Sequence, residues 1–273
     1  MAVWVSYFLE AMHRDKIPKL NQCSRTDLAF SFRFKQFGIF QDKCAMKVGT
    51  DGILLGAWAN VYDNSQILDI GTGTGILSLM LAQRSPSSNI DAVEIDEDAY
   101  SQAKENIELS PWSDRINIFH ASIQEFASNC SKQYDLIISN PPFFENACKS
   151  LQKSRKLARH SDTLSQTDIL QITSQLLKPK GHLAVIYPID LAKNFLDKAK
   201  DFNLFCDRKV YVKPTPKNAI KRILLELSST PTSTQETTLI VEEDKHIYTQ
   251  DYINLVKGFY LNLCVVLCIF NLG

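Results

Sequence analysis

The stretch Gln66-Ile67-Leu68-Asp69-Ile70-Gly71-Thr72-Gly73-Thr74-Gly75 decides the fold. Ile67, Leu68 and Ile70 form an apolar run suited to a buried parallel strand, with Asp69 near its end. Gly71, Gly73 and Gly75 then recur at alternate positions. A helical apolar pattern starts at once with Ile76, Leu77, Leu79, Met80, Leu81 and Ala82. Strand, glycine turn and helix in that order bring backbone close to a small ligand, because a residue without Cβ can take positive φ. The helix N-terminus behind the turn favours a carboxylate or phosphate.

The spacing G-x-G-x-G differs from the dinucleotide fingerprint G-x-G-x-x-G, and a tight turn with no ligand can share it. The residues downstream favour a ligand. About 20 residues on, where a ribose-binding acid belongs, the apolar strand Ile90–Val93 ends in Glu94. A carboxylate there can accept both ribose hydroxyls. Glycine turn and acid together predict a nucleoside site.

A second constellation follows the fourth predicted strand, in Ser139-Asn140-Pro141-Pro142-Phe143-Phe144. Ligands of open parallel sheets bind at the carboxyl ends of strands, so this segment should face the glycine turn. The prolines hold the backbone extended and remove two N–H donors, leaving acceptors. Asn140 adds a side-chain carbonyl, and Phe143 offers a flat apolar face. Acceptors beside a stacking ring suit a planar group bearing NH₂, such as adenine.

The chain around these two segments alternates regularly. Phe30, Phe32 and Phe34 suggest a strand, with Phe37–Phe40 as its hairpin partner. Thr50 or Asp51 should cap a helix over Gly52–Ala59 that buries Ile53, Leu54, Ala57 and Trp58. Strands are predicted at Gln66–Gly71, Asn89–Ile95, Ile116–His120, Tyr134–Ser139 and His182–Tyr187. Helices are predicted at Thr74–Arg84, Glu97–Leu109, Ile123–Ala127, Gln166–Leu177 and Leu191–Phe202. Lys178–Gly181 should break the chain before its strand. Repeated βα units imply a parallel sheet with helices on both faces. Asp207–Val212 and Ile220–Leu227 lie too close for a crossover helix and should pair antiparallel. Ser228–Thr238 reads as a loop, followed by a strand at Leu239–Val241 and a helix over Tyr248–Leu261.

The 273 residues are 45% hydrophobic and 22% charged, enough for one large α/β domain. Net charge is zero, but two stretches hold no acid. Lys149–His160 carries Lys149, Lys153, Arg155, Lys156 and Arg159. Arg208–Arg222 carries Arg208, Lys209, Lys213, Lys217, Lys221 and Arg222. Basic stretches on an acidic body suggest a polyanion footprint, although either alone reads equally well as a solvated face. The seven cysteines show no C-x-x-C pair and no metal spacing, which suits free thiols in a reducing compartment. No signal peptide is evident, and the apolar tail Phe259–Leu272 falls short of the ~20 residues that span a bilayer.

The segments LDIGTGTG, VEID and NPPF, in this order, resemble a class I S-adenosylmethionine-dependent methyltransferase. NPPF resembles the [DNS]-P-P-[FYW] motif of enzymes that methylate planar amino groups. The block Phe34–Phe37 with Cys44–Trp58, and Ala158-Arg159-His160, is similar to the tRNA(Val) adenine-37 N6-methyltransferases. The resemblance spans about Phe32–Leu261. It implies a Rossmann-like, seven-stranded, mostly parallel sheet with helices on both faces and an antiparallel last strand pair. The domain would cover residues 30–261, after an N-terminal extension (1–29) and before an atypical apolar tail (262–273).

The implied activity is methyl transfer from S-adenosyl-L-methionine to the N6 amine of an anticodon-loop adenine in tRNA, in the cytoplasm. No metal, membrane or obligate protein partner is implied. Lys47, Thr50, Asp69, Gly71, Gly73, Gly75, Glu94, Ile95, Ser122 and Asn140 would bind the cofactor. Asn140, Pro141, Pro142 and Phe143 would carry the chemistry. Lys149, Lys153, Arg155, Lys156, Arg159, His160 and Lys213 would meet RNA. Where the family has an acid after the third strand, this chain reads Ala121-Ser122. The same NPPF geometry serves other planar amines, namely a protein glutamine, a guanine N2 or a DNA adenine. An RNA-binding module that keeps the fold without turnover is the alternative of another class.

Overall fold

The computed structural model describes residues 30–142 and 164–261. The strand predicted from Phe30, Phe32 and Phe34 is β1 (Phe32–Arg33), and it pairs antiparallel with β2 (Gly38–Ile39). Then come α1 (Thr50–Trp58), β3 (Gln66–Ile70), α2 (Ile76–Arg84), β4 (Asn89–Glu94) and α3 (Glu97–Glu108). They are followed by β5 (Ile116–His120), α4 (Ile123–Asn129), β6 (Tyr134–Ser139), α5 (Gln166–Leu176), β7 (Leu177–Pro188) and α6 (Ile189–Ala199). The chain continues with β8 (Phe205–Lys213), β9 (Arg222–Ser228), β10 (Gln235–Ile240), the hairpin β11 (Glu242–Asp244) and β12 (Ile247–Tyr248), and α7 (Gln250–Val256).

The main sheet runs β10-β8-β9-β7-β6-β3-β4-β5. From β7 to β5 every pairing is parallel, while β9 lies antiparallel between β7 and β8. Ile67 pairs with Ile90 on one side and Leu136 on the other, which places β3 inside the sheet, between β4 and β6. Strand order reverses there, since β3 leads to β4 on one side and neighbours β6 on the other. The carboxyl ends of β3, β4 and β6 therefore share one crevice.

Alternation along β3 feeds two cores. Ile67 joins the layer formed with α1, α2 and α7, whereas Leu68 and Ile70 join the layer formed with α4, α5 and α6. Each such side chain, once fully buried, stabilises the fold by ~1.5–3 kcal/mol. Local chemistry starts the helices. Asp96 accepts from Ala99 N–H at 2.8 Å to cap α3, and Ser122 and Ser165 form capping boxes with Glu125 and Asp168.

Four elements differ from expectation. Gly49, in extended conformation, is the N-cap of α1, and no side chain caps it. Asp51 instead receives Arg222 Nε at 2.8 Å, so neither it nor Thr50 serves as the cap. Trp58 is only half-buried and carries the Arg208 guanidinium 4.3 Å above its ring. Lys178–Gly181 does not end a strand but bulges within β7, with the register stepping from Tyr134↔Leu177 to Leu136↔His182. Gly181 permits this, because a Cβ there would stand 2.8 Å from the Tyr134 carbonyl oxygen. Finally, part of the Ser228–Thr238 segment is strand. β10 runs parallel to β8 and extends the sheet by an eighth strand. Its Gln235–Thr238 face is exposed, so it lacks the apolar pattern that marks a strand.

Candidate active site

The glycine turn takes the strained geometry that its composition allows. Gly71, Gly73 and Gly75 have φ of +69°, +59° and +82°. Gly75 is the left-handed N-cap of α2, so that helix begins on the turn. A Cβ on Gly73 would meet no atom of the described residues within 4 Å, so its backbone faces open space among them. A ligand can lie directly on it.

Glu94 closes the turn from the neighbouring strand. Its carboxylate accepts Gly73 N–H at 2.8 Å through Oε2, and Ile95 and Asp96 N–H at 3.0 Å each through Oε1. Three N–H bonds still leave an acceptor position for a hydroxyl. Asp69 lies beneath the turn, fully buried. It accepts from Thr72 Oγ1 at 2.6 Å and Ser78 Oγ at 2.7 Å, joining β3, the turn and α2. Burial pushes its carboxyl up to about 6, against the opposing pull of the Thr72 and Ser78 hydrogen bonds.

β6 delivers the second constellation to the same crevice. Ser139 Oγ donates to the Ile70 carbonyl at 2.9 Å, tying the ends of β6 and β3 together. The next residue, Asn140, carries a buried Oδ1 with no hydrogen-bond partner among the described residues. Its Nδ2 lies 3.8 Å, and Ile76 Cγ2 3.5 Å, from where a Gly52 Cβ would stand. The first turn of α1, the first residue of α2 and the end of β6 thus converge. Pro141 is buried and Pro142 exposed. Thr50 is exposed at the start of α1, and Lys47 donates through Nζ to the Gln41 carbonyl.

A narrow cleft of about 50 Å³ opens beside the turn, lined by Ile70, Gly71, Val93, Ile95, Ala121 and Leu164 together with Ile123 and Gln124. Ser122 is occupied as the cap of α4. It receives Glu125 N–H at 3.1 Å and donates to Glu125 Oε2 at 2.8 Å. Two larger cavities, about 460 and 400 Å³, lie elsewhere, one between α6 and β8 and the other between β5 and α4. The surroundings of Cys44 disfavour its thiolate form. Burial, and then the Glu94 charge, push its thiol up to about 11. Cys44, Cys130 and Cys206 are free thiols. Among the described residues no group of His, Cys, Asp and Glu could hold a metal.

Phe143, Lys149, Lys153, Arg155, Lys156, Arg159 and His160 lie outside the described residues. Lys213 ends β8 and donates through Nζ to the Pro216 carbonyl at 2.9 Å, bracing the β8–β9 turn. Several supporting residues escaped sequence reasoning. Asn106 binds both backbone groups of Phe40, at 2.8 and 2.9 Å, and the Thr74 carbonyl at 2.9 Å. Gln102, one turn earlier, accepts Lys43 N–H at 3.1 Å. The available signal was two amides, four apart, on the otherwise apolar face of α3. Gln124 and Leu164 carried none.

The site suits S-adenosylmethionine. It has an open glycine turn, an acid with spare acceptor capacity, an apolar cleft beside the turn and, at the end of the neighbouring strand β6, a buried acceptor with no partner among the described residues. Fold and site together define a class I, S-adenosylmethionine-dependent methyltransferase. The model of the methyltransferase small domain matches residues 38–195. A crystal structure of a predicted O-methyltransferase from Agrobacterium tumefaciens shares the fold, with TM-score 0.58 at 18% identity over 77% of this chain and 96% of that one. The tRNA1(Val) (adenine(37)-N6)-methyltransferase of Trichodesmium erythraeum is 56% identical over 84% of this chain and 97% of its own length. The Flavobacterium johnsoniae protein of the same name is 51% identical over 85% of this chain and its full length. The chain belongs to this methyltransferase family.

Proposed function

We propose that this protein methylates the exocyclic N6 amine of adenine 37 in tRNA(Val), with S-adenosylmethionine as donor. The observation that carries the reading is the buried Oδ1 of Asn140 at the strand-end crevice, which has no partner among the described residues. A buried acceptor without a partner costs ~1–3 kcal/mol, and an amine N–H of the target base would relieve that cost.

The chain's own groups divide the work. The uncapped first turn of α1 at Thr50 presents backbone N–H groups to a carboxylate beside the open glycine turn (residues 71–75), with Lys47 nearby. Glu94 accepts a ribose hydroxyl, and Ile95 with Ala121 flanks the base. Asp69 holds the turn from below. Bound there, S-adenosylmethionine supplies an electrophilic methyl group on sulfonium. Asn140 Oδ1 accepts one amine hydrogen and turns the nitrogen lone pair towards that position. The Pro141 carbonyl is the second acceptor, and the Phe143 ring would stack on the base, worth ~1–3 kcal/mol. Anticodon-loop adenines unstack at lower cost than paired ones. Positioning is the main source of rate. The basic residues Lys149, Lys153, Arg155, Lys156, Arg159 and His160 would hold RNA phosphates.

Residues 30–261 would form the methyltransferase domain, acting in the cytoplasm where its substrate resides. Among the described residues no helix is long and apolar enough to cross a membrane. Incubation with total tRNA and labelled cofactor, followed by nucleoside mass spectrometry, tests the assignment. N6-methyladenosine at position 37 is expected. Methylation of protein glutamine or of guanine instead would refute it.

A further inference from the structure

The acid and the cleft wall are successive residues, Glu94 and Ile95, at the end of β4. Such a junction is free to swing unless the peptides on both sides of Ile95 are held. Ile95 is 44% exposed, so packing does little to fix it. Its N–H is held by Glu94 Oε1 at 3.0 Å. Its carbonyl lies 3.1 Å from His120 Nε2, at the end of the adjacent strand β5. A carbonyl oxygen only accepts, so Nε2 carries the hydrogen. The imidazole is itself clamped by Tyr100 of α3, stacked at 5.0 Å between centroids and 22° between planes.

We propose that His120 is a positioning residue for the adenosine half of the cofactor, holding Ile95 against the base by its Nε2–H bond to the Ile95 carbonyl while Tyr100 holds the imidazole. The proposal rests on the cleft being the cofactor's base site. It assigns His120 a role that does not require contact with ligand. With the Asp96 N–H held by Glu94 Oε1 at 3.0 Å, this bond fixes the carbonyl side of the Ile95–Asp96 peptide and so the chain direction leaving Ile95. The next strand end continues the same wall, because Ala121 follows His120 directly and lines the cleft. Loss of the imidazole would leave the Ile95–Asp96 peptide held through its Asp96 N–H alone, so its carbonyl side could tilt, and the base would have to order it on binding. That cost falls on cofactor affinity and leaves the transfer step alone.

The test compares His120→Ala, His120→Gln and the parent by calorimetric titration with S-adenosylhomocysteine, backed by thermal melts and amide hydrogen exchange. His120→Ala should weaken cofactor binding roughly three- to ten-fold. Its melting temperature should hold, because His120 is exposed at the end of an edge strand. Exchange at Ile95 and Asp96 should quicken without ligand. At saturating cofactor, kcat and the KM for tRNA should match the parent. A glutamine side chain places an amide N–H near the Nε2 position, so His120→Gln should recover most of the affinity. Unchanged affinity in His120→Ala would overturn the proposal, as would a Gln variant no better than the Ala variant or a fall in kcat with affinity intact. Failure of the parent itself to bind cofactor would instead refute the proposed function, and exchange at Ile95 would still report on the His120 bond.

Discussion

Gly73 donates its backbone N–H to Glu94 Oε2 at 2.8 Å, so the turn and the acid are one unit. Each holds the other in the shape a ribose would meet. Replacing Glu94 removes both the ribose acceptor and the brace of the turn. Glu94→Ala should weaken S-adenosylhomocysteine roughly 10- to 100-fold, the range for a hydrogen bond to a charged group. Glu94→Gln should fall between. Calorimetric titration checks this, and unchanged affinity in the Ala variant would remove Glu94 from the cofactor site.

Asn140→Ala should separate binding from chemistry. The side chain faces the target amine in this reading, so single-turnover transfer should slow on the order of 10²-fold or more. Cofactor affinity should stay within about two-fold, since Glu94 and the glycine turn are untouched. Normal turnover would exclude the orphaned Oδ1 from the reaction.

At Gly73, left-handed geometry and an open approach act together. A methyl there meets no atom of the described residues within 4 Å, so Gly73→Ala should cost only the ~1–2 kcal/mol of forcing an alanine to positive φ. The variant should fold, with a slightly lowered melting temperature. Cofactor binding should suffer far more, because the new methyl occupies the ligand's side of the turn. A folded variant that binds normally would leave the turn as architecture alone.

Asp69 predicts a pH signature. Its carboxyl titrates near 6 when folded and near 3.8 otherwise. The folded state therefore keeps a proton that the unfolded state releases between these values. Asp69 thus favours folding below about pH 4, and that contribution is lost as pH rises through about 6. Asp69→Asn, which cannot ionise, should gain on the parent across this window, by up to on the order of 3 kcal/mol. Urea unfolding at pH 4, 5, 6 and 7 measures it. A constant difference between the two proteins would contradict the raised folded-state value.

Lys153, Arg155 and Lys156 test the nucleic-acid substrate. Changing all three to Gln should weaken tRNA binding and flatten the log–log salt dependence by roughly 0.7–0.9 per lost phosphate contact. Titration with S-adenosylhomocysteine should not change. Lys213 makes a poorer probe, because its removal would also release the β8–β9 turn at Pro216. The same salt slope as the parent would turn the assignment towards a protein substrate.

Glycine spacing, the acid at Glu94 and the apolar periodicity of β3 to β6 could be read from sequence because each obeys a local rule. Positive φ favours glycine, and buried parallel strands favour apolar runs. What escaped depends on partners distant in the chain. Asn106 looks like any helix amide until Phe40 and Thr74 come within reach. Ser122 could be expected to hydrogen-bond, but not that Glu125 would engage it as a helix cap. His120 gains meaning only when β5 docks beside β4 and brings it to Ile95. β10 carries too few apolar residues to announce itself, and its strand state comes from pairing with β8.

Lys35 joins the two extremes of this fold. Its N–H donates to the Phe259 carbonyl at 2.8 Å and its Nζ to the Lys257 carbonyl at 2.7 Å. Helix α1, which brings Gly52 to Asn140, packs against α7 as well. During synthesis, then, the strands of the cofactor cradle leave the ribosome long before the residues that brace its front wall. Nascent chains halted before Gln250 should expose the β1–β2 hairpin to protease, and release of the last helix should protect it. The strand-end crevice can be assembled on the ribosome, while the side of it built by α1 waits for α7 to emerge.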